Sequence, residues 1–149
     1  MHQIYLGLGS NMGDRRQNIH EAIVLIDRQV GRVGRRSSLV ETKPWGFHST
    51  HNFLNCCIGV QTSLTPDGVL RATQKIEKDL GRSEKTENGV YHDRIIDIDI
   101  LLFDHLTIDE PDLKIPHPLM RERDFVMQPL KEILSEKDHF DFYDWISRY

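Results

Sequence analysis

The sequence predicts an α+β protein, an antiparallel sheet with helices packed on it, and three observations predict it. Strand-like apolar runs stand at 3–9, 33–41, 53–62 and 95–103. Between them, Ile19, Ala22, Ile23, Ile26 and Val30, and later Val69, Leu70, Thr73, Ile76 and Leu80, fall at helical spacing. The resulting order, β-α-β-β-α-β, is that of a ferredoxin-like split βαβ core.

The first strand ends at Gly9-Ser10-Asn11-Met12-Gly13-Asp14, a turn that opens the first helix, and Gly31 is that helix's natural C-terminal stop. Val33 to Glu41 is the second strand, and Phe53 to Thr62 the third, with Leu54, Cys56, Ile58 and Val60 on one face. Thr65 followed by Pro66 caps the second helix, which stops at Gly81. After the fourth strand come a short polar stretch, the turn Ile115-Pro116-His117-Pro118, and a C-terminal helical extension expected from Met120 to Leu134. The tail, with Phe140, Phe142, Tyr143, Trp145 and Tyr149, is too aromatic to float and is expected to pack back. No repeat, low-complexity tract or linker interrupts the chain, so 1–149 is read as a single domain.

At 149 residues the chain can bury roughly 68–70% of its unfolded surface. A net charge of −4 argues against a general nucleic-acid binder, which needs a basic face. Arg35-Arg36, Arg82, Arg94, Arg121 and Arg123 could still converge locally. No apolar stretch approaches the ~20 residues that cross a bilayer, and the N-terminus carries no basic region or cleavage signal. Cys56 and Cys57 are adjacent in a strand and face opposite ways, so they read as core residues of a reduced, cytoplasmic protein.

The most informative stretch is Arg94-Ile-Ile-Asp97-Ile-Asp99-Ile-Leu-Leu-Phe-Asp104. Asp97 and Asp99 share a strand face, with Ile96, Ile98 and Ile100 on the core face opposite. Two neighbouring carboxylates repel and lose hydration unless positive charge sits between them. Arg94, read on the same side, supplies one such charge; a hard divalent cation fits better, because Mg²⁺ is held by one or two carboxylates plus phosphate oxygens. The connections 42–52 and 82–93 are long for such a fold and read as lids over this site.

Other motifs carry less. Gly7-x-Gly9-x-x-x-Gly13 is one residue longer than the dinucleotide fingerprint and is read as a tight strand-to-helix turn. His48 and His51 sit in a polar loop without further ligands. His117, between two prolines and followed by Arg121, Arg123 and Phe125, is a rigidly presented imidazole suited to phosphate. Gln74 and Glu77 lie one turn apart, off the apolar face of the second helix. Trp45, in Lys43-Pro44-Trp45-Gly46, is an unusual place for a core aromatic and reads as a ligand contact.

Taken together, Gly9-Ser10-Asn11, Thr42 with Pro44 and Gly46, Phe53-Leu54-Asn55, Gln74-x-x-Glu77, Gly81-Arg82, Asp93-Arg94-x-x-Asp97-x-Asp99, Pro116-His117 and Arg123-x-Phe125 resemble the 6-hydroxymethyl-7,8-dihydropterin pyrophosphokinases of folate biosynthesis, over nearly the whole chain. The resemblance implies that ATP donates its β,γ-pyrophosphate to the pterin hydroxymethyl oxygen, releasing AMP. It implies two Mg²⁺ ions on Asp97 and Asp99, with Arg82 and Arg94 among the catalytic groups. Arg82, Arg94, His117 and Arg123 would line the nucleotide site, with Gln74, Glu77 and Ile100 nearby. Phe53 and Phe125 would sandwich the pterin, Asn55 and the backbone around Thr42, Pro44 and Gly46 would read its polar edge, and Trp45 would close over it. The implied partners are small molecules, with neither nucleic acid nor membrane, and the enzyme is expected to be a monomer.

The chain departs from the family pattern at Lys43, where many members have proline, at Glu84, where many have a second arginine, and at Tyr91, usually tryptophan, in a loop about two residues longer. These bear on lid behaviour and turnover. A non-catalytic ligand sensor leaves the aspartate pair unexplained. A metal phosphodiesterase would want more ligands near the strand.

Overall fold

The computed structural model describes residues 1–43, 51–81 and 95–134. Its elements run β1 His2–Ser10, α1 Arg15–Gln29, β2 Arg32–Arg36, β3 Val40–Thr42, β4 Phe53–Thr62, α2 Pro66–Asp79, β5 Asp97–Phe103, β6 Ile108–Glu110, β7 Leu113–Ile115, a 3₁₀ turn Met120–Glu122, and α3 Asp124–Ile133. The sheet runs β2-β4-β1-β5 with β3 also on β4, and every pair is antiparallel. This is the ferredoxin-like order expected from the sequence.

Local chemistry explains both helix starts. The Asp14 carboxylate accepts from Gln17 N at 3.2 Å and the Thr65 hydroxyl from Gly68 N at 3.1 Å, each satisfying one orphan amide of a first turn. Gly31 stands where expected, one residue past the Val30 cap of α1, with its N–H donating to Ile26 O at 3.1 Å; it is also small because a Cβ there would stand 2.1 Å from the Gln61 carbonyl oxygen.

The sheet buries both faces. On one, Leu6, Leu8, Ile58, Val60, Ile98 and Ile100 meet Ile19, Ile26, Val69 and Ile76 of α1 and α2. On the other, Tyr5, Cys57, Leu101 and Leu102 meet Val126, Leu130 and Ile133 of α3. A bulge makes the second core possible: Tyr5 pairs with Leu102 and Leu6 with Ile100, so Leu101 is an extra residue and both leucines face α3. The cysteines divide as expected, Cys56 into the first core and Cys57 into the second. Burial pushes the Cys56 thiol up to about 11 and Cys57 higher still, so neither forms a thiolate at neutral pH.

Three elements differ from the sequence reading. The expected strand 33–41 is two strands, because Ser37 turns its hydroxyl inward to accept from Cys57 N at 2.9 Å, and a side chain takes over a backbone role. The expected helix Met120–Leu134 breaks at Arg123, whose extended backbone (φ −119°, ψ 100°) starts α3 anew. The stretch after β5 is a hairpin, β6–β7, turning at Pro111-Asp112 and burying Leu113 and Ile115 in the first core. The expected packing of the aromatic tail lies outside the described residues.

Candidate active site

Strand register assembles the floor. Gly9 pairs with Asn55 on one side and Asp97 on the other; one step along, Gly7 pairs with Cys57 and Asp99. Side chains in such rows share a face, so the carboxylates and Asn55 stand on the α3 side with only glycine between them. That emptiness is used. A Cβ on Gly9 would stand 3.0 Å from Asn55 Oδ1 and 3.4 Å from Phe53 Cδ1, so both side chains lean over β1 toward Asp97. Asn55 is buried and braced by its Nδ2 donating to Val40 O at 3.2 Å.

The turn after β7 forms one wall. Ile115–Pro116 is cis, His117 N donates to Leu101 O at 3.1 Å, and Leu119 N donates to His117 Nδ1 at 3.3 Å. With Nδ1 accepting, the neutral imidazole carries its proton on Nε2, 4.0 Å from Asp99 Oδ2. Burial, and then the Arg123 charge, hold His117 below its ordinary 6.5, against an opposing pull from Asp97. Burial decides the balance even with an Asp99 oxygen 4.0 Å away, and the ring is neutral at pH 7. The Arg123 guanidinium carbon lies 5.7 Å from the centre of the Phe125 ring, within cation–π range.

A cleft of about 270 Å³ opens along β5, lined by Leu70, Ile98, Asp99, Ile100, Leu113, Lys114 and His117. Leu70, Ile98, Ile100 and Leu113 make its apolar lining and Asp99, Asp112, Lys114 and His117 its polar lining, the mixture usual for a small-molecule site.

Of the residues singled out from the sequence, Asp99, Ile100 and His117 line this cleft, Asp97 and Asn55 share the row across Gly9 with Phe53 beside it, and Arg123 meets Phe125. Thr42 ends β3, paired with Phe53. Gln74 is exposed on α2 and is not part of the cleft wall, whereas Glu77, expected off the apolar face, is buried, with Oε2 accepting from Ile98 N at 2.9 Å. Pro44, Trp45, His48, Arg82, Glu84, Tyr91 and Arg94 lie outside the described residues. Strict alternation puts position 94 on the Ile96 side rather than with Asp97, so Arg94's shared face does not follow from strand spacing. Arg35 does not converge with Arg123: its Nη1 donates to Ile133 O at 3.1 Å, at the opposite end of α3. Leu70 and the hairpin residues Pro111 to Lys114 are site walls that the sequence reading missed. The Glu110-Pro111-Asp112 turn between apolar Ile108 and Leu113 was the available signal.

The family model for 7,8-dihydro-6-hydroxymethylpterin-pyrophosphokinase (HPPK) matches residues 5–135. The chain belongs to this family. It is 47% identical over 131 residues to the 2-amino-4-hydroxy-6-hydroxymethyldihydropteridine pyrophosphokinase of Porphyromonas gingivalis, covering 87% of this chain and 89% of that one. The Aquifex aeolicus enzyme of the same name is 43% identical over 133 residues, covering 89% and 81%. Among solved structures, the Plasmodium falciparum HPPK-DHPS bound to SDX-DHP aligns with a TM-score of 0.69 at 18% identity, over 89% of this chain and 40% of that one. That likeness concerns the fold, and the chain spans about two fifths of that protein's length. The reaction is the one the sequence resemblance implied, pyrophosphoryl transfer from ATP to the hydroxymethyl group of the dihydropterin, in folate biosynthesis.

Proposed function

We propose that this reaction runs across the edge of β5, with Mg²⁺ on Asp97 and Asp99, ATP in the cleft and the pterin beside Asn55 and Phe53. The observation that carries the proposal is the register row Asp97–Gly9–Asn55, which joins a carboxylate to an amide over a bare strand. The donor set fits the metal. Two carboxylates on adjacent same-face positions offer hard oxygens, and no third His, Cys, Asp or Glu joins them among the described residues. That is the usual Mg²⁺ arrangement, in which nucleotide phosphates complete the shell. Two ions are expected, as the sequence resemblance implies.

Bound there, the metal supplies charge neutralisation of the triphosphate and orientation of its β-phosphorus. The residues of the chain do the positioning, which is most of what phosphoryl-type transfer asks of a protein. Leu70, Ile98, Ile100 and Leu113 cover the base, and Asp99 marks where the phosphates turn onto the α3 face. His117, neutral with its proton on Nε2, donates a hydrogen bond to a phosphate oxygen without competing for the cation. Arg123 carries the permanent charge on the same wall, and Phe125 beneath it offers a flat surface to the pterin. Arg82 and Arg94 are proposed to stabilise the AMP leaving group, Gln74 to lie near the nucleotide, the backbone around Thr42 and Pro44 to read the polar edge of the pterin, and Trp45 to close over it. We further propose a single catalytic domain acting as a cytoplasmic monomer, in keeping with its buried, protonated thiols.

The test is AMP release from ATP and Mg²⁺, with and without 6-hydroxymethyl-7,8-dihydropterin, on the wild type and Asp97→Ala. Pterin-dependent AMP that disappears in the variant and after chelation supports the assignment. Equal AMP from both proteins refutes the role of the aspartate pair.

A further inference from the structure

We infer that Glu77 is a positioning residue, clamping the free edge of β5 between Asp97 and Asp99 so that the two carboxylates are held as a pair. The inference rests on the proposed cation-holding role of that pair.

Among the described residues, β5 is the last strand of the sheet. Alternate amides of such a strand point away from its only neighbour and need another partner. Residue 98 is the single position between the two aspartates, and its N–H turns outward to Glu77 Oε2 at 2.9 Å. The bond is buried, and Glu77 is 7% exposed on α2, on the side that packs the first core through Val69, Thr73 and Ile76. A buried carboxylate is costly unless it receives strong hydrogen bonds. A charged acceptor on a backbone amide is roughly twice as strong as a neutral one. Glu77 is not one of the walls of this cleft, and its Oε2 reaches the strand backbone itself. Through that bond the carboxylate acts on the geometry of β5. Because a one-residue slip of a strand moves every side chain to the other face, a fixed point at residue 98 keeps Asp97 and Asp99 jointly on the α3 side.

The test uses Mn²⁺ as the probe ion, with the full chain and a non-hydrolysable α,β-methylene ATP analogue, read by electron paramagnetic resonance. Amide hydrogen exchange at Ile98 is followed in parallel. For Glu77→Ala we expect faster Ile98 exchange and a loss of Mn²⁺ affinity of about 10–100-fold, the usual effect of removing a residue that orients metal ligands. AMP turnover should fall while the KM for the pterin stays put. Glu77→Gln keeps an acceptor and should recover most of the Mn²⁺ affinity. Fast Ile98 exchange with unchanged Mn²⁺ affinity in Glu77→Ala overturns the clamp. So does a Glu77→Gln variant as impaired as Glu77→Ala whose defect lies wholly in the KM for ATP. Should Glu77→Ala fail to fold, Glu77→Leu, which removes the acceptor but keeps the volume, takes its place: weaker Mn²⁺ binding with faster Ile98 exchange supports the clamp, and unchanged Mn²⁺ binding overturns it. If the wild type and Asp97→Ala bind Mn²⁺ alike, the cation reading itself falls and the proposal with it, a failure recognisable because Ile98 exchange would still respond to Glu77.

Discussion

The side-chain oxygen of Asn55 lies where a methyl group on Gly9 would stand only 3.0 Å away. The glycine is therefore a condition of the amide's position over β1. Gly9→Ala should displace Asn55 and Phe53, raising the KM for the pterin by about tenfold, as expected when a buried polar contact worth on the order of 1–1.5 kcal/mol is lost. The KM for ATP should change little, because the cleft lies on the far side of Asp97. Steady-state kinetics with each substrate varied in turn separates the two.

The carboxylate pair makes separate predictions for activity and stability. Asp97→Ala and Asp99→Ala should each lower AMP formation by at least 10²–10³, the order seen when a preorganised charge-stabilising group is removed. In chelator-containing buffer the same variants should still fold and melt cooperatively, because relief of the like-charge repulsion offsets part of whatever the removed carboxylate contributed. A variant that lost activity only through unfolding would fail the melting test.

His117 links site and stability through pH. Its folded pKa lies below the ordinary 6.5, with burial as the main cause. Between those two values the unfolded chain binds the proton and the folded chain does not, so stability rises with pH there. The contribution is fully present above about pH 6.5 and is lost as pH falls toward the lower, folded value. Thermal melts of wild type and His117→Asn from pH 7.5 downward should therefore converge in acid, with the wild type losing more on the way. A wild-type curve that stays parallel to the variant would rule the linkage out.

Gly31→Ala should be destabilising for a reason unrelated to the site. The new Cβ would meet the Gln61 carbonyl oxygen at 2.1 Å and Thr62 Cα at 2.9 Å, both backbone atoms of β4 that cannot rotate aside. A loss of about 1–3 kcal/mol or more is expected for such overpacking. In a chain of this size that is a fall in melting temperature of roughly 2–12 °C. The clash is at the end of β4 away from Phe53, so kcat for the surviving folded fraction should hold. Calorimetry and active-site titration check both halves.

Much of this site can be read along the chain, because its chemistry is written in strand parity. Asp97 and Asp99 alternate with Ile96, Ile98 and Ile100, and that period alone predicts two carboxylates on one face and a core on the other. The same holds for the turn Pro116-His117-Pro118, whose backbone is restrained by its own residues. Caps at Asp14 and Thr65 follow equally locally, since a side-chain oxygen and an amide three residues on need no other element.

What spacing could not supply is everything that depends on which strand lies beside which. Glu77 has the look of a solvated helix residue until α2 is laid against the edge of β5, where it meets the Ile98 amide. Arg35 looks available for phosphate until β2 is placed opposite the end of α3. The bulge at Leu101 and the break at Arg123 break the expected periods because a second core has to be filled on the α3 face. Local pattern along the chain was enough for the long strands β1, β4 and β5, the helices α1 and α2, the paired carboxylates and the family. The tertiary structure decided the row that joins Asp97 to Asn55 across Gly9, the cleft walls from Leu70 to Lys114, and the partner of Glu77. The physical reason is one of range: side-chain period and capping act within a few residues, whereas register and edge pairing act between segments far apart in the chain.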